Sequence, residues 1–508
     1  MMNPSVVSDI CSRSVKVHLA DGVVERFGYG ANGNTLVVGP PGTGKTESML
    51  KPDILDNPGA SFVIDDKKGA LSYQLGPYLE ANGYEVRIFD LIHFEGNLTY
   101  NPFETLRSRE DIMALAQMLF PKDRKTNDEF WVHTARQLLV ALIEIGCHEY
   151  GEQMSFRRLC AMLDSVDIDN ECDYGPGTVE ALRREIEQEQ REEERRAEVL
   201  RRLHGPETEA PGDGAPGTRQ DGGAHGLIRS AVSETRQGGT HVFIRPVDRI
   251  RPAAAERKAP YSDPVLALIW KHLTQGKSYR GMQDYMTSRK AASDTFRSIV
   301  IELQSELTKY ASEELMRVME RNSLCFEEIG KRKIAVFVAN SDTDSKFAMV
   351  IQLFYRDVTK ALIECADTEY RHSGGQLPRH VRFILDDFCS GIKVPDFGVT
   401  IANCRSRNIS FLIAIQDLDQ LNAVYENQAG TIRACMRYQA FYPTKNITTA
   451  HYIAEISGTD MREAYGLREG TVYVWTVGLA RRTGRFRTHD MPQYRESRRL
   501  LEEKAQVR

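Results

Sequence analysis

The feature that constrains this chain most is a glycine-rich octapeptide near its start, Gly39–Thr46, which reads GPPGTGKT. It satisfies the complete G-x-x-x-x-G-K-[ST] pattern of a phosphate loop, in which glycines let successive backbone N–H groups converge on phosphate oxygens. Lys45 is expected to reach the β- and γ-phosphates of ATP, and the Thr46 hydroxyl to bind Mg²⁺. The predicted phosphate-binding residues are Gly39, Pro40, Pro41, Gly42, Thr43, Gly44, Lys45 and Thr46.

The residues around the loop supply the strand and the helix that such a loop requires. Thr35–Val38 predicts a buried strand before it, and a helix is predicted from near Lys45. Further strands are predicted at Ser61–Ile64 and Tyr84–Phe89, with a helix over Tyr73–Ala81 between them. Strands separated by helices at this interval predict an α/β fold with a parallel sheet, and this context argues against a chance glycine-rich turn.

The organisation of the chain predicts one α/β domain that is interrupted by helices. Its first part, 1–105, is followed by helical periodicity, and strand–helix alternation returns at Ile334–Ala339. We therefore predict an all-α domain at 106–330 and the second part of the α/β domain at 331–508. Within the helical block, about 175–260 reads as a charged, Gly/Pro-rich insertion, either a solvated one or a partner-binding arm.

A second candidate site follows the apolar run Phe383–Leu385, which ends in the carboxylate pair Asp386 and Asp387. A phosphate loop needs an acidic group at the end of a neighbouring strand, to hold Mg²⁺ and to orient water. Asp386 is predicted to hold Mg²⁺ through water, and Asp387 to orient and polarise the attacking water. The alternative is that the pair caps the amino end of a helix, since Asp is favoured there.

Polar and basic residues flank another predicted strand, Ser410–Ile415. Gln416 directly follows this strand and is interpreted either as a sensor of the γ-phosphate or as a simple cap of the strand end. Arg405 and Arg407 precede the strand, and either is a candidate arginine finger that acts across a subunit boundary. An ordinary surface arginine is the alternative for each of them.

Charge composition limits how the chain can contact nucleic acid. Lys plus Arg total 66 against 71 Asp plus Glu, a net charge of −5, which excludes a general polyanion binder. Nucleic-acid contact must come from a local basic surface. Arg481, Arg482, Arg485 and Arg487 are candidates for it, with a solvated turn as the alternative. The nine cysteines lack metal or disulfide-framework spacing and no apolar run approaches ~18 residues, so we expect a soluble protein with reduced thiols.

In their order along the chain, these motifs resemble those of the type IV secretion system coupling proteins, the TraG/TraD-like conjugative DNA transfer ATPases. The resemblance covers roughly residues 34–174 and 261–494. Beyond the phosphate loop it rests on Asp66–Gly69 (the family's D-P-K-G), Asn101–Phe103 (N-P-[LF]), Phe130-Trp131, Leu385–Phe388 (L-D-E-F), Arg405–Ser410 (R-S-R-G-I-S) and Gln416. Asp387 stands where the family usually has Glu, Lys67 replaces the proline of D-P-K-G, and the family's amino-terminal membrane helices have no counterpart in this sequence.

The resemblance implies a RecA-like P-loop NTPase that uses ATP and Mg²⁺, interrupted by an all-α domain that selects substrates. It implies a homohexameric ring in the active state, with DNA through its centre. The implied function is an ATP-hydrolysing coupling protein that recruits relaxase-bound single-stranded DNA and helps to move it to a type IV secretion channel during conjugation. The implied location is cytoplasmic, peripheral to the inner face of the bacterial cell membrane, with membrane contact only through a missing or separate subunit.

Two other functions stay open at the level of the sequence. One is an ATPase receptor for protein effectors that does not translocate DNA. The other is a nucleotide-switched docking platform with little turnover. DNA-stimulated ATP hydrolysis would separate the coupling protein from the effector receptor, and sustained turnover would argue against the docking platform.

Overall fold

The computed structural model describes residues 15–19, 23–27, 32–121, 129–167, 188, 191, 195, 263–290, 293–341, 346–390, 393–476, 479–484 and 488–506. Apart from residues 188, 191 and 195, the predicted insertion at about 175–260 lies outside this description.

Most of the described chain is organised by one large β-sheet. The strands are β1 (Val15–Leu19), β2 (Val23–Phe27), β3 (Thr35–Val38), β4 (Ser61–Lys67), β5 (Glu85–Asp90), β6 (Ile334–Asn340), β7 (Val381–Leu385), β8 (Ile409–Ile415), β9 (Tyr438–Phe441), β10 (Thr471–Thr476) and β11 (Leu479–Gly484). Nine of them form a sheet in the order β11-β10-β9-β3-β8-β7-β4-β6-β5, and β1 pairs with β2 in a separate antiparallel hairpin.

The neighbouring strands from β9 to β5 run parallel to one another. Every residue of β3, β6, β7 and β8 is buried. Strands of a parallel sheet are covered on both faces, which is why these four read as nearly unbroken apolar runs in the sequence. The predicted α/β fold with a parallel sheet is confirmed, and β10 and β11 continue the sheet beside β9 as antiparallel strands.

Helices connect and cover the strands. A π-helical turn, Thr46–Leu50, leads into the first of them. They are α1 (Lys51–Leu55), α2 (Ala70–Ala81), α3 (Arg109–Leu119), α4 (Glu129–Tyr150), α5 (Phe156–Asp164), α6 (Pro264–Thr274), α7 (Arg280–Arg289), α8 (Ser293–Thr308), α9 (Glu313–Val318), α10 (Ala348–Thr368), α11 (Phe397–Cys404), α12 (Leu418–Tyr425), α13 (Ala429–Cys435), α14 (Ile447–Ser457), α15 (Met461–Tyr465) and α16 (Pro492–Gln506).

The described residues divide into two compact units. The sheet unit contains the described residues within Met1–Thr105, Glu152–Cys160 and Ser305–Arg508, and the helical unit contains those within Leu106–Gly151 and Ala161–Gln304. The chain leaves the sheet after β5 and returns at β6, yet these two strands are hydrogen-bonded neighbours. The helical residues are therefore an insertion between adjacent strands. The domain bounds given by the sequence, with a helical domain at 106–330, stay a prediction.

The helical unit has an apolar core of its own, in which side chains such as Leu138 and Ile269 are fully buried. Arg109 forms ion pairs with Glu144 and Asp284, so that it joins the start of α3 to α4 and α7. In the described part of the chain, no helix combines the length and the apolar character that a membrane span requires.

The parallel strands give the sheet unit two chemically different edges. We call the side where β3, β4, β6, β7 and β8 end the carboxyl edge, and the side where they begin the amino edge. Ligands of open α/β sheets bind outside the carboxyl ends of the strands. The phosphate loop, the Asp386–Asp387 pair and Gln416 all follow the ends of strands and so lie at the carboxyl edge, whereas Arg405 and Arg407 precede β8 and lie at the amino edge.

Candidate nucleotide-binding site

The phosphate loop leaves the centre of the sheet between β8 and β9. The Gly39 N–H donates to the Ile415 carbonyl at 3.0 Å, which anchors the loop to the end of β8. A Cβ on Gly39 would lie 2.7 Å from Cβ of Tyr442, so only glycine fits there. Gly42 and Gly44 adopt positive φ angles of 76° and 84°, which side-chain-bearing residues rarely take. The glycines of the motif are thus required by the path of the backbone.

Lys45 is held inside the loop. Its ammonium donates to the carbonyl of Gly39 at 2.6 Å and approaches that of Pro40 at 3.4 Å. Burial lowers the pKa of Lys45, and the negative charges of Asp387 and Asp386 oppose this shift. A cation that the fold has partly desolvated interacts strongly with a bound anion, as a phosphate-binding lysine must.

The phosphate loop and the predicted acidic strand end meet directly. The Thr46 hydroxyl donates to the Asp386 carboxylate at 2.6 Å, although the two residues are far apart in the sequence. Burial raises the pKa of Asp386, while the hydrogen bond from Thr46 lowers it. A hydroxyl and a carboxylate oxygen are hard ligands of the kind that Mg²⁺ takes, directly or through water.

Asp387 lies beside this pair in an unusual backbone conformation. Its φ is +46°, in the left-handed region that Asp and Asn tolerate better than most residues, and its N–H donates to Asp386 Oδ1 at 3.0 Å. The next N–H, that of Phe388, donates to the Ala414 carbonyl of β8 at 2.9 Å. The next helix in the described chain, α11, has Asp396 as its N-cap, so a capping role for the Asp386–Asp387 pair finds no support.

Gln416 follows β8, the strand that lies between the phosphate-loop strand β3 and the Asp386–Asp387 strand β7. Its backbone N–H donates to the side chain of Gln420 at 3.2 Å. The adjacent Asp417 is the residue that caps α12, by accepting from the Gln420 N–H. Gln416 therefore occupies the middle of the carboxyl edge, and a neighbour supplies the helix cap.

A buried acidic cluster beside the site was missed by the sequence reasoning. Asp65, only 2% exposed, accepts from the Asn340 side chain at 2.5 Å and lies 3.3 Å from the Lys67 ammonium. Lys67 in turn donates to Asn340 at 2.7 Å. Burial raises the pKa of Asp65 to about 6, and the nearby charge of Asp386 contributes to that rise. The available signal was that the apolar run Phe62–Ile64, like Phe383–Leu385, is followed by two consecutive aspartates.

The Asp66–Gly69 motif has a structural role in this chain. The Asp66 carboxylate accepts from the backbone N–H groups of Leu71 and Ser72 at 2.7 and 2.8 Å, and so caps the start of α2. Lys68 and Gly69 both have positive φ, which turns the chain sharply between β4 and the helix. Lys67 points its ammonium to Asp65 and Asn340, so this position contributes charge to the carboxyl edge.

The two candidate arginine fingers differ in their surroundings. Arg407 forms a bidentate pair with Asp367, with distances of 2.8 and 2.7 Å, and donates to the Asn403 carbonyl at 2.7 Å. Asp367 raises the pKa of Arg407. Arg405 is exposed and lines a cavity at the amino edge. Neither lies at the edge that carries the phosphate loop of its own chain.

Two other motif positions are placed by the structure. Asn101 is fully buried and donates to the carbonyls of Met154 and Glu320 at 2.7 and 3.1 Å, which pins the chain where it leaves the sheet. Trp131 is half-buried near the start of α4. Arg485 and Arg487 lie outside the described residues, as do the side chains of Phe130, Arg481 and Arg482.

A mostly parallel sheet, in which a glycine-lined phosphate loop meets the acidic end of a strand two positions away in the sheet, defines a P-loop NTPase of the RecA-like class. More particularly, the chain belongs to the family of type IV secretory system conjugative DNA transfer proteins, whose model matches residues 9–469. The resemblance stated from the sequence motifs is thereby confirmed. No curated protein matches the sequence.

Solved structures of the plasmid coupling protein TrwB share this fold. The unbound monoclinic form of TrwBdeltaN70 aligns with a TM-score of 0.54 at 13% identity, over 96% of this chain and 91% of that one. TrwB with the non-hydrolysable GTP analogue GDPNP gives 0.52 at 13% identity, over 91% and 88%. TrwB with ADP and Mg²⁺ gives 0.51 at 13% identity, over 89% and 85%. At this level of identity the likeness shows the fold alone.

Proposed function

We propose that this chain is an ATP-hydrolysing coupling protein that recruits relaxase-bound single-stranded DNA and helps to move it to a type IV secretion channel during conjugation. The observation that carries the proposal is the 2.6 Å contact between Thr46 and Asp386 beside the buried Lys45. It joins the two halves of an NTP-hydrolysis site, which a fold that had lost catalysis would not need to keep.

The residues present fit ATP and Mg²⁺. Gly39–Thr46 would hold the phosphates, with Lys45 as the charge partner, and Thr46 and Asp386 would hold Mg²⁺, the latter through water. When bound, Mg²⁺ offsets charge that develops on the phosphate oxygens. TrwB has been solved with the GTP analogue GDPNP and with ADP and Mg²⁺, which supports the assignment of a nucleotide and Mg²⁺ to the corresponding residues of this chain.

Asp387 and Gln416 would act on the attacking water. The Asp387 carboxylate would orient this water and take its proton as the water oxygen bonds to the γ-phosphorus and the bond to the β–γ bridging oxygen breaks. Gln416, between the phosphate loop and Asp387 in the strand order, would sense whether the γ-phosphate is present.

A second copy of the chain would complete the site. Arg405 and Arg407 lie at the edge opposite to their own phosphate loop, so either can reach a γ-phosphate only in another subunit. Arg407 is already engaged by Asp367, and we therefore assign the trans role to Arg405. Such a head-to-tail contact between copies closes into a ring when the rotation between subunits allows it, and we propose a homohexamer at the cytoplasmic face of the bacterial inner membrane.

Steady-state ATP hydrolysis with and without single-stranded DNA tests the function. We expect measurable turnover that rises with single-stranded DNA and falls to background in Lys45→Ala. Turnover that ignores DNA but responds to a protein effector would replace the DNA pump by an effector receptor. Nucleotide binding without turnover would instead point to a docking platform.

A further inference from the structure

A cavity of about 310 Å³ lies in the sheet unit, away from the phosphate loop. Nine residues line it, and they include Arg405, Arg433, Arg437, Gln439, Tyr452 and Trp475. None of the nine has a carboxylate. The volume is at the lower end of the roughly 300–1,000 Å³ that is typical of ligand sites.

The cavity is at the amino edge of the sheet. Arg437 directly precedes β9, which runs parallel to the phosphate-loop strand β3, and Arg405 lies four residues before β8. Trp475 of β10 pairs with Gln439 of β9 near the beginning of that strand. The phosphate loop follows the opposite end of β3, so the cavity cannot be part of the nucleotide site of its own chain.

Its three arginines keep their positive charge available. Arg433 donates to the neutral side chain of Asn422 at 2.9 Å and lies over the ring of Tyr452, 5.4 Å from its centroid. Arg437 lies over the ring of Tyr438 at 5.6 Å. Among the described residues, none of the three forms an ion pair with a carboxylate, in contrast to Arg407 with Asp367. Unpaired guanidinium groups around one concavity attract an anion.

The cavity also offers groups that a simple anion would leave unused. Tyr452 and Trp475 are half-buried aromatic side chains in its wall. Gln439 is only 2% exposed, and its Oε1 has no hydrogen-bond partner in the described part of the chain. Leaving such an acceptor unsatisfied is costly. A ligand with a flat ring, an N–H donor and a phosphate would use all of these groups.

We propose that this cavity binds one nucleotide of a single-stranded DNA, with the phosphate at Arg433 and Arg437 and the base against Tyr452 and Trp475. Single strands expose the faces of their bases, and aromatic stacking combined with basic side chains is the usual way to hold them. A duplex hides those faces. The inference rests on the proposed function in one respect, namely that DNA is the cargo.

The position of Arg405 links the two proposals. It lines the same cavity and is the residue that we assign to the nucleotide of a second copy. A DNA phosphate at Arg433 and Arg437 would therefore change the field around Arg405, which is a direct route from DNA occupancy to the rate of hydrolysis. Tests of the cavity leave Arg405 unchanged for this reason.

Arg437→Glu tests the proposal, with Arg468→Glu, a reversal at another exposed arginine, as the matched control. Fluorescence anisotropy of a labelled oligo-dT on the full chain should show affinity weaker by about tenfold and a salt slope lower by about one for Arg437→Glu alone. Its basal ATPase should stay within twofold of wild type while DNA stimulation is lost. Equal affinity for Arg437→Glu and wild type would overturn the inference and leave the proposed function standing.

Two further results would overturn the assignment of single-stranded DNA to the cavity. Loss of basal ATPase with unchanged DNA affinity would show that the cavity serves the nucleotide of a second copy, and would overturn the DNA assignment. Failure of the wild-type chain to bind any single-stranded DNA would overturn the inference and the DNA cargo together. Duplex DNA of the same length is expected to bind without sensitivity to Arg437→Glu.

Stacking of a base on Trp475 can be measured separately, by tryptophan fluorescence. Trp475 is one of three tryptophans in the chain, so its fluorescence can be isolated by difference. Oligo-dT should quench emission in wild type, and Trp475→Phe should remove the quench while it preserves binding. Tyr452→Leu should weaken oligo-dT binding about tenfold, and should have little effect on an abasic oligomer of equal charge. A quench that survives in Trp475→Phe would place the DNA elsewhere.

Discussion

The two edges of the sheet bury charge in opposite ways. At the amino edge, the fully buried guanidinium of Arg382 donates to both oxygens of Asp53, to Thr35, to Ser410 and to the Gly33 carbonyl, at 2.6 to 3.4 Å. At the carboxyl edge, burial lowers the pKa of Lys45 and raises that of Asp386. The N–H donors of Arg382 are all hydrogen-bonded within the protein. Desolvation, in contrast, disfavours the charged forms of Lys45 and Asp386.

This difference separates structural charge from functional charge. A buried ion whose donors are all used contributes to a unique packing of strands and has nothing left to offer a ligand. A buried charge that desolvation disfavours is stabilised when a phosphate or a metal ion of opposite charge binds beside it. Substitutions at the two edges should therefore affect different measurements: folding at the Arg382 network, and turnover at the phosphate loop.

The largest effect on turnover is expected from Arg405, although this residue lies at the amino edge. If it reaches the nucleotide of a second copy, Arg405→Ala should lower kcat by ~10³-fold or more, as for other arginine fingers. Arg407→Ala, which removes the ion pair with Asp367 and the hydrogen bond to the Asn403 carbonyl, should leave kcat within about threefold. Steady-state ATPase rates at protein concentrations that give the same assembly state measure both.

Mixing subunits tests whether Arg405 acts in trans. A ring of Arg405→Ala and Lys45→Ala subunits contains some sites where an intact phosphate loop meets an intact Arg405. We expect partial recovery of activity in the mixture, above the sum of the two separate rates. Absence of recovery at every ratio, with assembly verified by mass photometry, would assign Arg405 to its own chain or to the surface.

The second largest effect is expected at Asp387. Asp387→Asn should keep ATP affinity and slow hydrolysis by ~10²–10⁴-fold, because it removes only the group that orients and deprotonates water. Asn tolerates the positive φ of this residue as well as Asp does, so the backbone stays in place. Lys45→Ala is the contrasting variant, since it should weaken the binding of a fluorescent ATP analogue itself. A wild-type rate for Asp387→Asn would remove it from catalysis.

Asp387→Glu refines this assignment. Glu is the usual residue of the family, and its longer side chain keeps a carboxylate near the phosphates. We expect it to support hydrolysis, with a small loss of thermal stability because Glu is less suited to a φ of +46°. An inactive but stable Asp387→Glu would show that hydrolysis requires the carboxylate at the position that the shorter Asp side chain gives it.

Most of the carboxyl edge could be anticipated from the sequence, and the Arg382 network at the amino edge could not. Gly39–Thr46 and Phe383–Asp387 each combine an apolar strand with a polar end, and parallel strands bring such ends to one edge without further information. The partners of Arg382 come from separate elements, and they meet only because β3 lies beside β8 and α1 packs nearby. Strand order is a tertiary property that local patterns do not encode.

One of the two strands that line the arginine-lined cavity was missed for a related reason. β9 spans only Tyr438–Phe441, which is too short to read as a strand core. Without it, the sequence gives no reason to place Arg433 and Arg437 beside Trp475. Asp65 could not be assigned from the family motif, because that motif begins at Asp66, whose carboxylate caps α2.

In the buried network of Arg382, substitutions should change the stability of the fold. Arg382→Met leaves Asp53, only 1% exposed, without its ion-pair partner, and should lower the free energy of unfolding by about 3–5 kcal/mol. The double variant Arg382→Met with Asp53→Leu removes both charges and should recover much of that loss. Urea unfolding of the three proteins measures this, and equal stability of Arg382→Met and wild type would show that the network is dispensable.

The smallest effect is a dependence of stability on pH that has opposite signs at the two edges. Burial raises the pKa of Asp65 to about 6 at the carboxyl edge, so the folded chain binds more protons than the unfolded chain between about pH 4 and 6. Asp65 therefore makes the folded state less stable as pH rises through that window. Burial lowers the pKa of His380 to about 4 at the amino edge, where it is hydrogen-bonded to Asn408 and Ser410.

For His380 the unfolded chain binds the extra proton, so its contribution to stability is complete above about pH 6.5 and is lost as pH falls toward 4. The two contributions partly cancel in the wild type, and single variants reveal them. Relative to wild type, Asp65→Asn should gain about 1–3 kcal/mol of stability between pH 4 and 6, and His380→Gln should lose a similar amount over the same rise. Urea midpoints at four pH values measure both differences. Two curves that change in the same direction would show that the edges do not differ in how they hold buried charge.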